Sequence, residues 1–157
     1  MSCDVAVAAF LMFAQAGPAD ALRPIPAVAA APPSVAGEPL FKDIIGRAGR
    51  LRGEVQAYRT QDAGATNVVV LPKFNAFQAD IAQLAALDQK GHEVLVARGS
   101  SDDLKCILHG ISQDLPTKLA AVADAKTAHD QDLALRDMDY LLRDNVEVIT
   151  APPQPAA

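Results

Sequence analysis

Cys106-x-x-His109 sets a thiol and an imidazole one helical turn apart, on nearly the same face of a predicted helix. Two chemistries use such a pair. A thiolate nucleophile would take His109 as its base and would need a third group to orient the imidazole. A metal site would need two more ligands, drawn from His92, His129 or the acids. The plain alternative is a small apolar core residue, between Leu104 and Ile107, beside a histidine at the edge of the core. The sequence has no Gly-x-Ser-x-Gly, phosphate-binding loop, His-Glu-x-x-His, calcium loop or haem-attachment motif. Acidic pairs such as Asp102/Asp103, Asp130/Asp132 and Asp137/Asp139 read as solvated helix surface. The sequence therefore assigns no catalytic residue, resident metal or cofactor, and Cys106 and His109 stand as a weak redox or metal candidate.

The second constellation is Asp43-Ile-Ile-Gly46-Arg-Ala-Gly49-Arg-Leu51. An Ile-Ile-Gly-x-x-Gly stretch with basic neighbours resembles the nucleic-acid-gripping loop of K-homology domains. In that family two glycines let the backbone approach a phosphate chain and nearby cations neutralise it. The resemblance spans Asp43–Leu71 and implies a cytoplasmic nucleic-acid-binding module. It also implies a strand before Asp43 and another after Leu71, where this chain has a proline-rich stretch and a helix start at Pro72. The other reading is a helix whose glycines admit a close neighbour while Arg47, Arg50 and Arg52 form a basic ridge facing an acidic protein partner.

These residues must be positioned by helices. Aromatics are few (five Phe, two Tyr, no Trp), so the core is built from Leu, Ile, Val and Ala, which suits packed helices. A first helix is predicted from about Leu40 to Gln61, with Phe41, Ile44, Ala48, Leu51, Val55 and Tyr58 at three- and four-residue spacing. Val68-Val-Val-Leu71 reads as a strand or an extended lead into the second helix, which opens at Pro72 and stops near Arg98-Gly99. Its stripe (Phe74, Phe77, Ile81, Leu84, Gly91, Leu95) is interrupted by Asp88. Ser100 or Ser101 is expected to cap a third helix with Leu104, Ile107, Leu108, Ile111 and Leu115 on one face. Pro116 is expected to end that helix and begin a fourth, carrying Leu119, Val122, Ala125, Leu135, Met138, Leu142 and Val146, with a polar turn or kink at Lys126–Asp132. Asp132–Arg136 and Asp139–Arg143 are spaced as intrahelical ion pairs. The fold class is all-α: an antiparallel bundle of about four helices over residues 40–150.

Before that domain, Val5–Ala16 is an uncharged apolar run followed by small-residue motifs at Ala14-Gln15-Ala16 and Ala19-Asp20-Ala21. This is the pattern of an export signal over residues 1–21, although Met1–Asp4 carries no cation. A Pro/Ala-rich linker (22–39) and a Pro-rich tail (151–157) flank the domain. Export implies a periplasmic or secreted protein, and an intact N-terminus would imply a cytoplasmic one. The run is shorter than the roughly 20 residues that cross a bilayer, so no stable membrane span is expected. Cleavage would remove Cys3 and leave Cys106 as the sole cysteine, available to cross-link a second chain. The net charge of −5 argues against general nucleic-acid affinity. It is divided unevenly: residues 40–61 hold five cations against two acids, and residues 102–147 ten acids against five bases, so first and last helices should attract. Together these features predict an exported, non-enzymatic helical module that binds another protein or itself.

Overall fold

The structure, a computed structural model, describes residues 34–100 and 103–151. The signal-like segment, most of the linker and nearly all of the tail lie outside the described residues. Four helices account for most of the rest: α1 (Pro39–Asp62), α2 (Phe74–Ala97), α3 (Leu104–Asp124) and α4 (Ala128–Thr150). No strand occurs among the described residues. Each helix packs on its two neighbours around a ring, α1–α2–α3–α4 and back to α1. The pairing is antiparallel. Glu38, at the start of α1, grips Arg98, at the end of α2, through two bonds of 2.7 and 2.8 Å. Arg52 meets Asp139 and Arg59 meets Asp132, so residue number falls along α4 as it rises along α1.

The apolar stripes point inward as their spacing requires. Phe41, Ile44, Ala48 and Val55 from α1 are fully buried, with Ile81, Leu84, Leu108, Leu115, Leu135, Met138 and Leu142 from the other helices. At Gly91 three helices crowd one point. A Cβ there would lie 3.1 Å from Leu108 and 3.4 Å from both Ile44 and Phe41, all three themselves fully buried. This is the glycine that permits close approach.

Helix ends follow local chemistry, with two departures from the sequence expectation. Gly99 adopts φ +69° and closes α2 as a Schellman turn, with Ser100 N–H donating to Leu95 O and Gly99 N–H to Val96 O. The cap of α3 is Asp103 rather than a serine, and its side chain makes no capping bond. The larger departure is at Pro116, which lies inside α3 and does not end it. Proline removes one backbone donor from a helix. Leu115 and Val122 keep the buried stripe running through that point, and Thr117 Oγ1 donates to Gln113 O at 3.2 Å. Burial on both sides outweighs the lost bond. The chain turns instead at 125–127, inside the polar stretch, where Thr127 caps α4 by accepting from Asp130 N–H.

The expected intrahelical pairs Asp132–Arg136 and Asp139–Arg143 do not form. Both acids turn across the seam to α1, drawn by its arginines. The core phase of α4 also runs through Asn145 and Ile149, leaving Val146 half-buried.

Asp88 and Asn145 are both fully buried, on diagonally opposed helices. Asn145 Nδ2 donates to Asp88 Oδ2 at 2.7 Å, while Asp88 Oδ1 and Asn145 Oδ1 have no partner. Two buried acceptors without partners, on side chains already bonded to each other, are costly unless the carboxyl carries a proton. A protonated Asp88 can donate to the amide oxygen and close an acid–amide pair. Burial pushes the Asp88 carboxyl up from 3.8 to about 7, against the smaller lowering effect of the Asn145 bond. The folded chain thus holds this proton more tightly than the unfolded chain. The resulting stability is complete below about pH 4 and is lost as pH rises through about 7. Its size is on the order of 4 kcal/mol. Thermal melts should show this contribution falling from pH 4 to 7. Asp88→Asn should remove the pH dependence, matching the parent at pH 4 and melting higher at pH 8.

Candidate functional site

The basic segment of α1 does not form a ridge. Arg47 and Arg50, three residues apart, are neighbours on the helix surface, whereas Arg52 lies roughly 140–160° round the helix from both, so the three do not share one line. Arg47 turns toward α2, bonding Asp43 at 2.9 Å and Gln83 at 3.0 Å. Arg52 turns toward α4 and donates to Asp139 at 3.1 Å. Arg50 is exposed, and its only hydrogen bond is to the Gly46 carbonyl of its own helix, at 3.1 Å. Of the three it alone has no carboxylate partner.

Gly46 and Gly49 lie in the middle of α1, within continuous helix rather than a loop. With Gly53 they form an exposed stripe at helical spacing. A Cβ at Gly49 or Gly53 would meet nothing within 4 Å. These glycines therefore do not serve packing within the bundle. Gly49 and Gly53 form the floor of a surface groove of about 280 Å³ between α1 and α4, walled by Arg52 and Gln56 on one side and Arg143, Val146 and Glu147 on the other. The Arg143 guanidinium is held by Asp144 at 3.1 Å and lies 5.0 Å from the centre of the exposed Tyr140 ring.

Cys106 and His109 do not assemble a reactive centre. Cys106 is half-buried and disulfide-bonded, which leaves no thiol nucleophile at this position. The sequence has one other cysteine, Cys3, outside the described residues. Both ring nitrogens of His109 are engaged. Nδ1–H donates to Gln89 Oε1 at 2.9 Å, and Nε2 accepts from Gln113 Nε2 at 3.0 Å. His92 stacks beside it with ring centres 4.8 Å apart, its Nδ1–H donating to the Lys105 carbonyl. The group is a polar clasp between α2 and α3. Among the described residues no three His, Cys, Asp or Glu side chains converge on a point where a metal could sit.

A second hollow, of about 410 Å³, opens where the end of α1 meets the start of α4, lined by Arg59, Asp62, His129 and Asp132. Both Asp62 side-chain oxygens are buried without a partner, and burial, then the Asp132 charge, raise its pKa. Arg59 is committed to Asp132 at 3.1 Å. The sequence reading did not single out Asp62. A carboxylate at a helix C-terminus, where the dipole opposes it, was the available signal.

Comparison with known proteins finds no matching family, no matching curated protein and no matching solved structure. Among the described residues no helix is long and apolar enough to cross a membrane.

The glycine positions separate packing from surface. Gly49→Ala and Gly53→Ala should each raise stability by about 1 kcal/mol, the ordinary helix preference of alanine over glycine. Gly91→Ala should lower it despite the same preference. Chemical denaturation midpoints of the three variants would check both signs.

Proposed function

We propose that this chain is an exported, non-enzymatic module that binds an acidic segment of another protein along the α1/α4 groove. The observation that carries the reading is the run of exposed glycines at 46, 49 and 53. Each costs helix stability, yet Gly49 and Gly53 relieve no contact inside the fold. A bare helix surface lets a partner backbone approach more closely than any side chain would allow. Arg50, with unspent guanidinium donors beside this stripe, supplies the charge for an acidic side chain, and arginine suits carboxylates because its fork can bond two oxygens at once.

Support for the non-enzymatic part comes from the polar groups themselves. The nitrogens of His109 are spent on glutamines, and the most displaced acid among the described residues is sealed in the core. Export rests on the apolar lead and its small-residue motifs. It predicts a native chain starting at Gly17 or Leu22.

Two measurements test the proposal. N-terminal sequencing of the native protein, with its compartment, checks export: an intact Met1 in the cytosol would refute it. Cross-linking in the native cells, comparing wild type with Gly49→Gln and Arg50→Glu, checks the groove. A specific partner should be lost at least tenfold in both variants while circular dichroism stays unchanged. A partner retained equally by both would place binding elsewhere. A nucleic-acid partner would instead appear as affinity falling steeply with salt.

A further inference from the structure

Between α1 and α2 the chain crosses Val68-Val69-Val70-Leu71 without a turn or bend. It is held like a strand, but by a side chain. Gln131, buried at the start of α4, accepts from Val69 N–H at 2.7 Å and donates to Val69 O at 2.9 Å. This double bond to one residue reproduces what a neighbouring strand would offer. Leu71 is anchored in the core, and the Tyr58 hydroxyl donates to the Pro72 carbonyl at 2.8 Å.

In extended backbone the N–H and C=O of successive residues point to opposite sides. If Val69 faces Gln131, Val68 and Val70 face away. Neither has a backbone hydrogen bond among the described residues, and their side chains are 42% and 91% exposed. Val70 is the most exposed large apolar residue among those described. Natural edge strands are usually shielded by lysine, proline or a bulge. Residues 66–71 carry no charge and no proline.

We infer that this edge pairs with the same segment of a second copy of the chain, antiparallel, about a twofold axis at Val69. The occupant follows from the sequence of the segment. A twofold axis at Val69 sets Val68 opposite Val70 and Val70 opposite Val68, and since all three positions are valine each meets an uncharged β-branched partner. Both are then hydrogen-bonded positions, which gives four main-chain bonds and satisfies every orphan group on the edge. Valine faces valine with no charge to repel, and β-branched pairs favour this geometry. Gln131, Leu71 and Tyr58 have already fixed the segment, so pairing orders little new chain. This edge lies apart from the glycine groove and does not depend on it.

The test uses the full chain in sedimentation velocity, with and without reductant, together with amide hydrogen exchange. The expected result is a concentration-dependent dimer that survives reductant, with Val68 and Val70 amides gaining protection as dimer forms. Val69, bonded to Gln131, should be protected throughout. Val70→Pro deletes one edge donor at an exposed position and should restore monomer at every concentration with an unchanged melting curve. Val70→Lys should do the same without altering backbone freedom. A chain that stays monomeric up to its solubility limit overturns the inference, even if an added extended peptide then protects these amides. So does a dimer in which Val68 and Val70 exchange freely.

Discussion

The buried contact between Asp88 and Asn145 is the constraint on which the arrangement of the helices depends. In a ring of four helices, neighbours are fixed by apolar stripes, and such stripes tolerate sliding by a turn because one aliphatic contact resembles the next. A hydrogen-bonded polar pair does not tolerate it, since a shifted register strands both groups without partners in the core. Asp88 and Asn145 join the two helices that are not neighbours. They therefore lock α2 against α4 and set the heights of α1 and α3 between them. The cost is a carboxyl group whose ionised form is disfavoured by burial, with its pKa raised to about 7.

With the interior set in this way, the charges divide between holding the bundle and leaving surface free. The basic α1 and acidic α4 attract as their composition implies, through Arg52–Asp139 and Arg59–Asp132. Exposed pairs of this kind contribute little stability each, but they orient the seam. Committing Arg52 and Arg59 to α4 and Arg47 to Asp43 and Gln83 leaves Arg50 beside the glycine stripe. At the end of the same seam, Gln131 turns inward to hold the α1–α2 connection extended. The two surfaces proposed for partners thus arise from what α4 does and does not take up.

Much of the fold was legible from periodicity. The bounds of α1, the Gly99 stop of α2, the turn near 126–128 and most core positions all follow from spacing and end signals. Pro116 misled because a proline is a local signal, whereas the continued stripe of Leu115, Leu119 and Val122 is a tertiary one. Asp88 read as an interruption of its stripe because its partner lies 57 residues away and no local pattern reveals it. Arg47, Arg50 and Arg52 are close in sequence, but Arg52 lies on a different side of the helix from the other two, and only the tertiary partners show which of them is taken up. Gly46 and Gly49 were visible as helix glycines that could admit a close neighbour. Whether a stripe faces a neighbour or solvent depends on the phase of the apolar residues around it, and here Ala48, Leu51 and Val55 take the inner face.

The most displaced acid among the described residues, Asp88, is sealed in the core with Asn145 as its hydrogen-bond partner. The most direct measurement is the ¹³C shift of the Asp88 side-chain carboxyl as a function of pH, in the full chain labelled at aspartate. A protonated carboxyl that persists through mildly acidic pH and titrates near 7 is the result this account predicts. A carboxyl that titrates near 3.8, as an exposed aspartate would, contradicts it. The bundle would then have no sealed acid–amide pair at its centre.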